Sequence, residues 1–266
     1  MSVRGAHWIF LRGLTRESRH WGGFPEQFRA ALGPVPVHML DLPGNGARHA
    51  ERSPASVTAM VEDCRRQAAA AGIPSPFFVL GLSMGGMIAA AWARAHPAQL
   101  RGCVMINSSI GSLSPLHHRL RWRAWPMLLR LAAARGDAAA IERGIWALTS
   151  RRAPHAPELD RWTALRLARP VSAGNTLRQL LASSRFRPDG KPRAPLLVLA
   201  SRGDGLVSPD CSRRLAAAWG ASLALHPWAG HDLPLDDGDW VAREVNEWLR
   251  GSFEREQTEA ETPRMV

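Results

Sequence analysis

A serine, a histidine and an aspartate stand in this sequence at positions that suit nucleophilic attack on a carbonyl carbon. Ser83 is the centre of the segment Gly81–Gly85, which fits the pattern G-x-S-x-G. This pattern places a serine at the tip of a sharp, strained turn, where small residues two positions before and after it relieve crowding. Because glycine and serine are common, the setting of the motif decides its meaning.

That setting favours a nucleophile over a plain structural turn. The apolar residues 76–80 before the motif are typical of a buried strand, and residues 86–93 after it have the composition of a helix. A strand, a sharp turn and a helix in this order expose the serine hydroxyl at the edge of a sheet. The sequence therefore predicts that Ser83 is the nucleophile of a hydrolase acting on ester-type carbonyls.

A serine hydroxyl needs a general base, and the base needs a carboxylate that orients it. His231 is the best candidate base, since it follows the last predicted strand on a loop beside Gly230. Asp204 is the candidate acid, since it follows the apolar segment 196–200 at the sheet edge expected for Ser83. The aspartates after His231 are interpreted as helix capping and surface charge: Asp232, Asp236, Asp237 and Asp239.

Two backbone N–H groups are expected to bind the oxyanion. One belongs to Met84, which follows the nucleophile, and the other to Leu14, in the glycine-containing loop after the first strand. Arg12 in the same loop is a candidate for contact with an anionic group of the substrate. His20 is expected near this loop, and His226 is expected to pack inside a strand.

The elements that must position these residues alternate along the chain, which predicts a parallel sheet flanked by helices. The predicted strands are His7–Leu11, Val35–Leu40, Phe77–Leu82, Gly102–Asn107, Leu196–Ala200 and Ser222–His226. The predicted helices are Pro25–Leu32, Val57–Ala71, Gly85–Ala95, Pro209–Trp219 and Asp237–Leu249.

A longer segment interrupts this alternation. Residues 112–187 have helical apolar spacing and are predicted to form a cap inserted into a core of residues 1–111 and 188–251, followed by a polar tail, 252–266. Trp122, Trp125 and Trp146 of the cap either line an apolar substrate pocket or pack in the cap interior; the sequence leaves both readings open.

Composition narrows the function classes. The net charge of +11 arises almost entirely from arginine, and no DNA- or RNA-binding signature accompanies it, so nucleic acid is not expected as a partner. No apolar stretch is long enough for a membrane span, and the beginning of the chain does not resemble a signal peptide. Three scattered cysteines make no metal-binding spacing and suit a reducing compartment, so the prediction is a cytoplasmic protein without a metal.

With Ser83, Asp204 and His231 in this chain order, the sequence resembles the α/β-hydrolase superfamily over nearly its whole length. Residues Asp41–Gly46 also resemble the loop after the second core strand of that family. The cap and the segment 204–207 resemble the capped serine carboxylesterases, a group that includes the pimeloyl-acyl carrier protein methyl ester esterases. The resemblance implies an α/β-hydrolase fold without its leading hairpin, a Ser-His-Asp triad, an acyl-enzyme and no cofactor.

The resemblance also has a departure and leaves alternatives open. The family commonly has His-Gly where this chain has Arg12 and Gly13. The expected substrate is a small or carrier-linked acyl ester, and arginines of the cap are candidates for docking an acidic carrier protein. The alternatives are a thioesterase or lactonase with the same triad, and a non-catalytic binding protein on the hydrolase scaffold.

Overall fold

The computed structural model describes residues 5–134 and 136–254 and places a six-stranded sheet at the centre of the protein. The strands are β1 (Trp8–Leu11), β2 (Val37–Leu40), β3 (Phe77–Leu82), β4 (Leu100–Ile106), β5 (Leu196–Ser201) and β6 (Ser222–His226). They lie in the order β2-β1-β3-β4-β5-β6, and every neighbouring pair is parallel. The predicted parallel sheet of about six strands is confirmed.

Ten α-helices are found in the described residues, on both sides of the sheet and in the segment between β4 and β5. Those in the core are α1 (Phe24–Leu32), α2 (Val57–Ala70), α3 (Met84–Ala95), α9 (Pro209–Trp219) and α10 (Leu233–Leu249). Those between β4 and β5 are α4 (Leu116–Arg119), α5 (Trp125–Ala133), α6 (Ala138–Thr149), α7 (Ala156–Ala168) and α8 (Ala173–Arg185). We call this second group the cap; its limits at residues 112 and 187 stay predictions.

Side-chain alternation along the strands divides the interior into two cores. In β1, Ile9 and Leu11 face one apolar cluster, which also takes in residues of α2 and α3, whereas Trp8 and Phe10 face the other. That second cluster is closed by α1 and α10. Because both faces of the central strands are buried, β1, β3 and β5 are continuous apolar runs without a polar face.

Several elements differ from their predicted limits by one or two residues, and β4 and α10 differ most. Strand β4 begins at Leu100, which pairs with Phe77 across an irregularity in the register, and it ends before Asn107, whose φ is +46°. Helix α10 begins at Leu233 because Pro234 suits the first helical turn, and it kinks at Asp237, where φ is −154°. The predicted start at Asp237 therefore marks the kink and not the beginning of the helix.

The last described residues return to the core. Phe253 is buried and makes edge-on ring contacts with Phe78 and Trp248. Most of the predicted polar tail, residues 255–266, lies outside the described residues. Within the described part of the chain, no helix combines the length and the apolar character that crossing a bilayer requires.

Candidate active site

Ser83 lies in the turn that joins β3 to α3, and its backbone has the left-handed geometry expected of that turn. Its φ is +56° and its ψ is −115°, an arrangement that non-glycine residues rarely adopt. A Cβ on Gly85 would overlap the carbonyl oxygen of Leu11 in the neighbouring strand. Glycine is therefore required where the first turn of α3 passes β1, and this close approach fixes the position of the serine.

Hydrogen bonds attach this turn to β4. The Ser83 N–H donates to the Ile106 carbonyl at 2.8 Å, and the Ser108 hydroxyl donates to the Ser83 carbonyl at 2.8 Å. Ser83 thus lies at the carboxyl end of the sheet, where ligand sites form in parallel α/β folds.

His231 and Asp204 are brought together by loops that follow β6 and β5. The His231 Nδ1 donates to the Asp204 Oδ2 at 2.7 Å, and both side chains are buried. The other Asp204 oxygen, Oδ1, accepts the N–H groups of Leu206 at 2.7 Å and Val207 at 2.9 Å. With Nδ1 holding the proton, Nε2 of the ring is left as the basic nitrogen.

The electrostatics of this pair favour a charged imidazole. Burial lowers the pKa of His231, but the charge of Asp204 and its hydrogen bond outweigh burial, and the pKa is raised above its ordinary value of 6.5. A carboxylate bound to one ring nitrogen stabilises the imidazolium that forms when the other nitrogen accepts a proton.

Asn107 connects the histidine loop to the strand beside Ser83. Its side-chain amide donates to the His231 carbonyl at 2.9 Å and to the Gly230 carbonyl at 3.1 Å. Because the preceding residue, Ile106, accepts the Ser83 N–H, one strand end holds both the serine turn and the histidine loop. In the sequence, Asn107 stands out only as the end of a predicted strand, and its anchoring role depends on the fold.

The predicted oxyanion loop passes beside the serine. A Cβ built on Gly13 would lie 3.2 Å from the Ser83 Cβ, so a side chain at this position would crowd the serine. Leu14 follows in this loop, and Met84 is the first residue of α3, where backbone N–H groups have no partner within the helix. Thr15 has φ +58°, and its N–H donates to the Gln179 side chain of α8 at 2.9 Å, so the cap helps to shape the loop.

Arg12 is held by a partner that the sequence did not indicate. Its Nη1 and Nη2 donate to the two oxygens of Asp232 at 3.1 and 2.5 Å, and both side chains are buried. Asp232 lies at the N-cap position of α10, but its side chain makes no capping hydrogen bond. The interpretation of Asp232 as surface charge is wrong, because its buried side chain pairs with an arginine 220 positions away. Contact of Arg12 with a substrate anion stays a prediction. Such an anion would have to compete with the Asp232 carboxylate for the guanidinium group.

Asp236 is likewise buried and not a surface charge. Its Oδ2 accepts the N–H groups of Gly230 at 2.6 Å and Arg151 at 2.9 Å, and its Oδ1 accepts the Ser150 hydroxyl at 2.5 Å. It therefore joins the histidine loop to the end of α6 in the cap. A local sequence signal was absent because these partners lie up to 86 residues apart.

The three cap tryptophans have different surroundings. Trp122 and Trp125 are 70% and 49% exposed, whereas Trp146 is 3% exposed, lies against Trp162 and donates its indole N–H to the Arg152 carbonyl. For Trp146 the structure supports packing in the cap interior. A pocket role for Trp122 and Trp125 stays a prediction.

His20, Cys64 and Cys103 have surroundings that do not favour reactivity. His20 is buried, its Nδ1 accepts the Glu17 N–H, and burial together with the charges of Arg16 and Arg12 holds its pKa well below the ordinary value. Cys64 and Cys103 are buried, which raises the pKa of each thiol to about 12. Within residues 5–134 and 136–254, no group of three or more His, Cys, Asp or Glu is arranged to hold a metal ion.

Comparison with known proteins connects this geometry to a family. The model of the alpha/beta hydrolase family matches residues 8–244. A pimeloyl-acyl-carrier protein methyl ester esterase from Chromobacterium violaceum is 29% identical over 210 residues, which cover 79% of this chain and 71% of that protein.

Solved structures show the same architecture. A thermophilic esterase from Thermogutta terrifontis aligns with a TM-score of 0.71 and 20% identity over 93% of this chain and 90% of that chain. A bacterial membrane phospholipase A aligns with a TM-score of 0.75 and 21% identity over 94% of this chain and 80% of that chain. At these identities the two structures support a common fold.

Proposed function

The chain belongs to the alpha/beta hydrolase family, and we propose that it is a carboxylic ester hydrolase with Ser83 as nucleophile, His231 as base and Asp204 as acid. The observation that carries the proposal is the buried His231–Asp204 pair, 2.7 Å apart, at the same sheet edge as a serine with φ +56°. A solvated loop histidine has no reason to be fixed in this way, whereas a general base requires it.

Acylation follows from this arrangement. His231 Nε2 takes the proton of the Ser83 hydroxyl as its oxygen bonds to the ester carbonyl carbon, and Asp204 stabilises the imidazolium. The carbonyl oxygen becomes an oxyanion that accepts the N–H groups of Leu14 and Met84. Collapse of this intermediate breaks the ester C–O bond, and the imidazolium protonates the departing alcohol, which leaves an acyl-Ser83.

Deacylation repeats the sequence with water. His231 removes a proton from a water molecule as the water oxygen bonds to the acyl carbon, and the same two N–H groups hold the second oxyanion. The imidazolium then returns a proton to the Ser83 oxygen, and the carboxylic acid is released. Each proton that His231 accepts is given back, so the cycle returns Ser83 and His231 to their starting states.

The first test is covalent labelling together with turnover. We expect a fluorophosphonate probe to label the wild type and S83A to lose both labelling and hydrolysis of p-nitrophenyl esters of graded acyl length. S109A is the matched control, because Ser109 is a nearby buried serine whose hydroxyl contacts Arg119, and it should keep its labelling. Undiminished hydrolysis by S83A would refute the proposal, and matched thioester and lactone series would show which leaving group is preferred.

We further propose that the acyl group is presented on an acidic carrier protein. The C. violaceum relative is named for a carrier-linked ester, and the cap exposes an apolar surface of Trp122, Trp125 and Leu129. Arg123 and Arg130 are exposed on the same segment, in a chain of net charge +11. Apolar side chains with basic neighbours suit an acidic partner through charge attraction.

This proposal is tested at Arg123 and Arg130 and not at Arg121. The Arg121 Nη1 donates to the Asp204 carbonyl at 2.7 Å, so its replacement would disturb the acid loop itself. We expect R123Q/R130Q to raise the KM for carrier-linked esters about tenfold while kcat/KM for small esters is kept. R29Q on α1, which removes a positive charge outside the cap, is the control. Equal losses on both substrate classes, or none on carrier-linked esters, would contradict carrier docking.

A cytoplasmic location stays a prediction from the sequence.

A further inference from the structure

The buried ion pair between Arg12 and Asp232 has no part in the steps above. Arg12 is 3% exposed and Asp232 is 3% exposed, and two hydrogen bonds join the planar guanidinium to both carboxylate oxygens. The guanidinium carbon also lies 4.8 Å from the centre of the Trp21 ring. Two hydrogen bonds and an aromatic face leave this side chain little freedom to rotate.

The pair joins two loops that the proposed reaction requires in register. Arg12 immediately precedes Gly13, which lies against Ser83, and Asp232 immediately follows His231. The first loop carries the Leu14 N–H that receives the oxyanion, and the second carries the base. The loops are 220 residues apart in the chain, and the ion pair is a direct side-chain link between them.

We propose that Arg12 and Asp232 are positioning residues that hold the oxyanion loop and the histidine loop in register. This inference rests on the proposed function, since it assigns the two loops their roles in catalysis. The pair takes part in no proton transfer. It fixes where the Leu14 N–H stands relative to the His231 ring, and a displacement of about 1 Å at such a distance costs about a hundredfold in rate.

The charges of the pair also bear on the histidine. The groups that act on His231 are Asp204, Asp232 and Arg12, with Asp236 bound to the N–H of the preceding residue. Arg16 and His20 lie on the Arg12 side of the site. The Asp232 charge raises the pKa of His231 and the Arg12 charge lowers it, so the two charges of the intact pair oppose each other. Breaking the pair from either end must disturb the base in opposite directions.

The experiment measures kcat, KM and the pH dependence of kcat/KM for R12Q, D232N and R12Q/D232N. We expect kcat to fall about tenfold or more in each variant, with a smaller change in KM. Since the base must be neutral to act, the acidic limb should move to higher pH in R12Q and to lower pH in D232N. In the double variant the limb should return toward the wild-type position while kcat stays low.

Three controls separate positioning from a structural role. D63N removes a buried carboxylate that pairs with Arg48 and Arg66 away from these loops, and it should leave the acidic limb in place. R12K keeps the charge without the bidentate geometry, so it should keep the wild-type limb and recover part of kcat. Fluorophosphonate labelling of Ser83 in every variant shows that the nucleophile is intact.

The outcomes are distinguishable from failure of the proposed function. Undiminished turnover in S83A would refute the proposed triad. Loss of turnover in S83A, together with an unchanged kcat and an unchanged acidic limb in R12Q and D232N, would overturn only the positioning role. A shift of the acidic limb in the same direction in R12Q and in D232N would also overturn it. Should R12Q not fold, the direction of the D232N shift relative to D63N decides the question.

Discussion

At His231, burial and the charge of Asp204 act on the imidazole in opposite directions, and the carboxylate prevails. The imidazole is therefore protonated to a higher pH than an ordinary histidine. The proposed mechanism requires the neutral ring for activity, whereas stability gains from the charged ring beside Asp204. The contribution of this pair to stability is complete below pH 6.5 and is lost as the pH rises through the raised pKa, while activity appears over that range.

The first prediction concerns the Asp204 carboxylate. In the wild type, the acidic limb of kcat/KM should lie above pH 6.5. In D204N the limb should move to lower pH, because the stabilising charge is gone, and kcat should fall by about four orders of magnitude since the amide favours the wrong tautomer. Steady-state kinetics from about pH 5 to about pH 9, an interval that includes the range where histidine titrates, check both effects.

A D210N variant gives the control, because Asp210 pairs with Arg213 on the exposed side of α9. Its pH profile should match the wild type. A D204N limb at the wild-type position would show that Asp204 does not set the protonation of the base.

Residue types and chain order were enough to predict Ser83, Asp204 and His231 as candidates, because each follows a strand at one sheet edge. The surroundings of Arg12 were not predictable in the same way. Its partner Asp232 is adjacent to the predicted base but 220 residues away in the chain, and only the fold makes them neighbours. Local rules read Asp232 as a helix cap because it precedes α10.

At the scale of elements, the turn between β3 and α3 depends on backbone contact with β1. The first turn of α3 passes so close to Leu11 that Gly85 has no space for a methyl group. The strand before the turn is fully buried and pairs with β1 and β4, so it cannot retreat. This rigidity is what allows Ser83 to keep a positive φ.

The second prediction is that G85A is destabilised by about 3 kcal/mol or more, because the new Cβ meets a backbone carbonyl that cannot move aside. Unfolding in urea measures the loss. G23A is the matched control, since Gly23 has φ −82° and open space around its Cβ position, and it should change stability by about 0.5 kcal/mol at most. Equal losses in the two variants would show that the contact with Leu11 is not what requires glycine.

Strand β3 was predictable because a run buried on both faces is continuously apolar, and it has the predicted limits. Strand β6 also has the predicted limits, although its first residues are exposed. The beginning of α10 was not predictable from the same pattern. The acidic residues around Asp237 suggested the N-terminus of the helix, but the helix begins earlier, at Leu233. Asp236 lies inside its first turn and accepts N–H groups of Arg151 and Gly230. These tertiary contacts of Asp236 leave no local sequence signal.

At the scale of the whole molecule, hydrogen bonds connect the cap directly to the loops of the candidate site. Arg121 holds the Asp204 carbonyl, and the Thr149 carbonyl accepts the Asp232 N–H at 2.8 Å. A buried ion cluster makes a further connection: Glu142 of α6 accepts Arg16 of the core at 2.7 Å and Arg166 of α7 at 2.6 Å. The position of the cap and the geometry of the site are therefore coupled.

Glu142 offers a direct test of this connection, because its side chain is buried, at 1% exposure, and lies between two guanidinium groups. We expect E142Q to lose about 3 kcal/mol in the free energy of unfolding, since the buried Arg16 and the partly buried Arg166 lose their shared carboxylate. E26Q removes a surface pair with Arg29 and should cost about 1 kcal/mol at most. Urea unfolding gives both values.

Limited proteolysis shows where the E142Q loss falls. If the cluster fastens the cap to the core, cleavage between residues 116 and 185 should accelerate in E142Q and not in E26Q, under conditions where both remain folded. Ester hydrolysis should weaken in parallel, because Arg16 follows the oxyanion loop directly. Faster cleavage elsewhere with an unchanged cap would mean that Glu142 stabilises the molecule as a whole, and the coupling of cap to site would have to rest on Arg121 and Thr149.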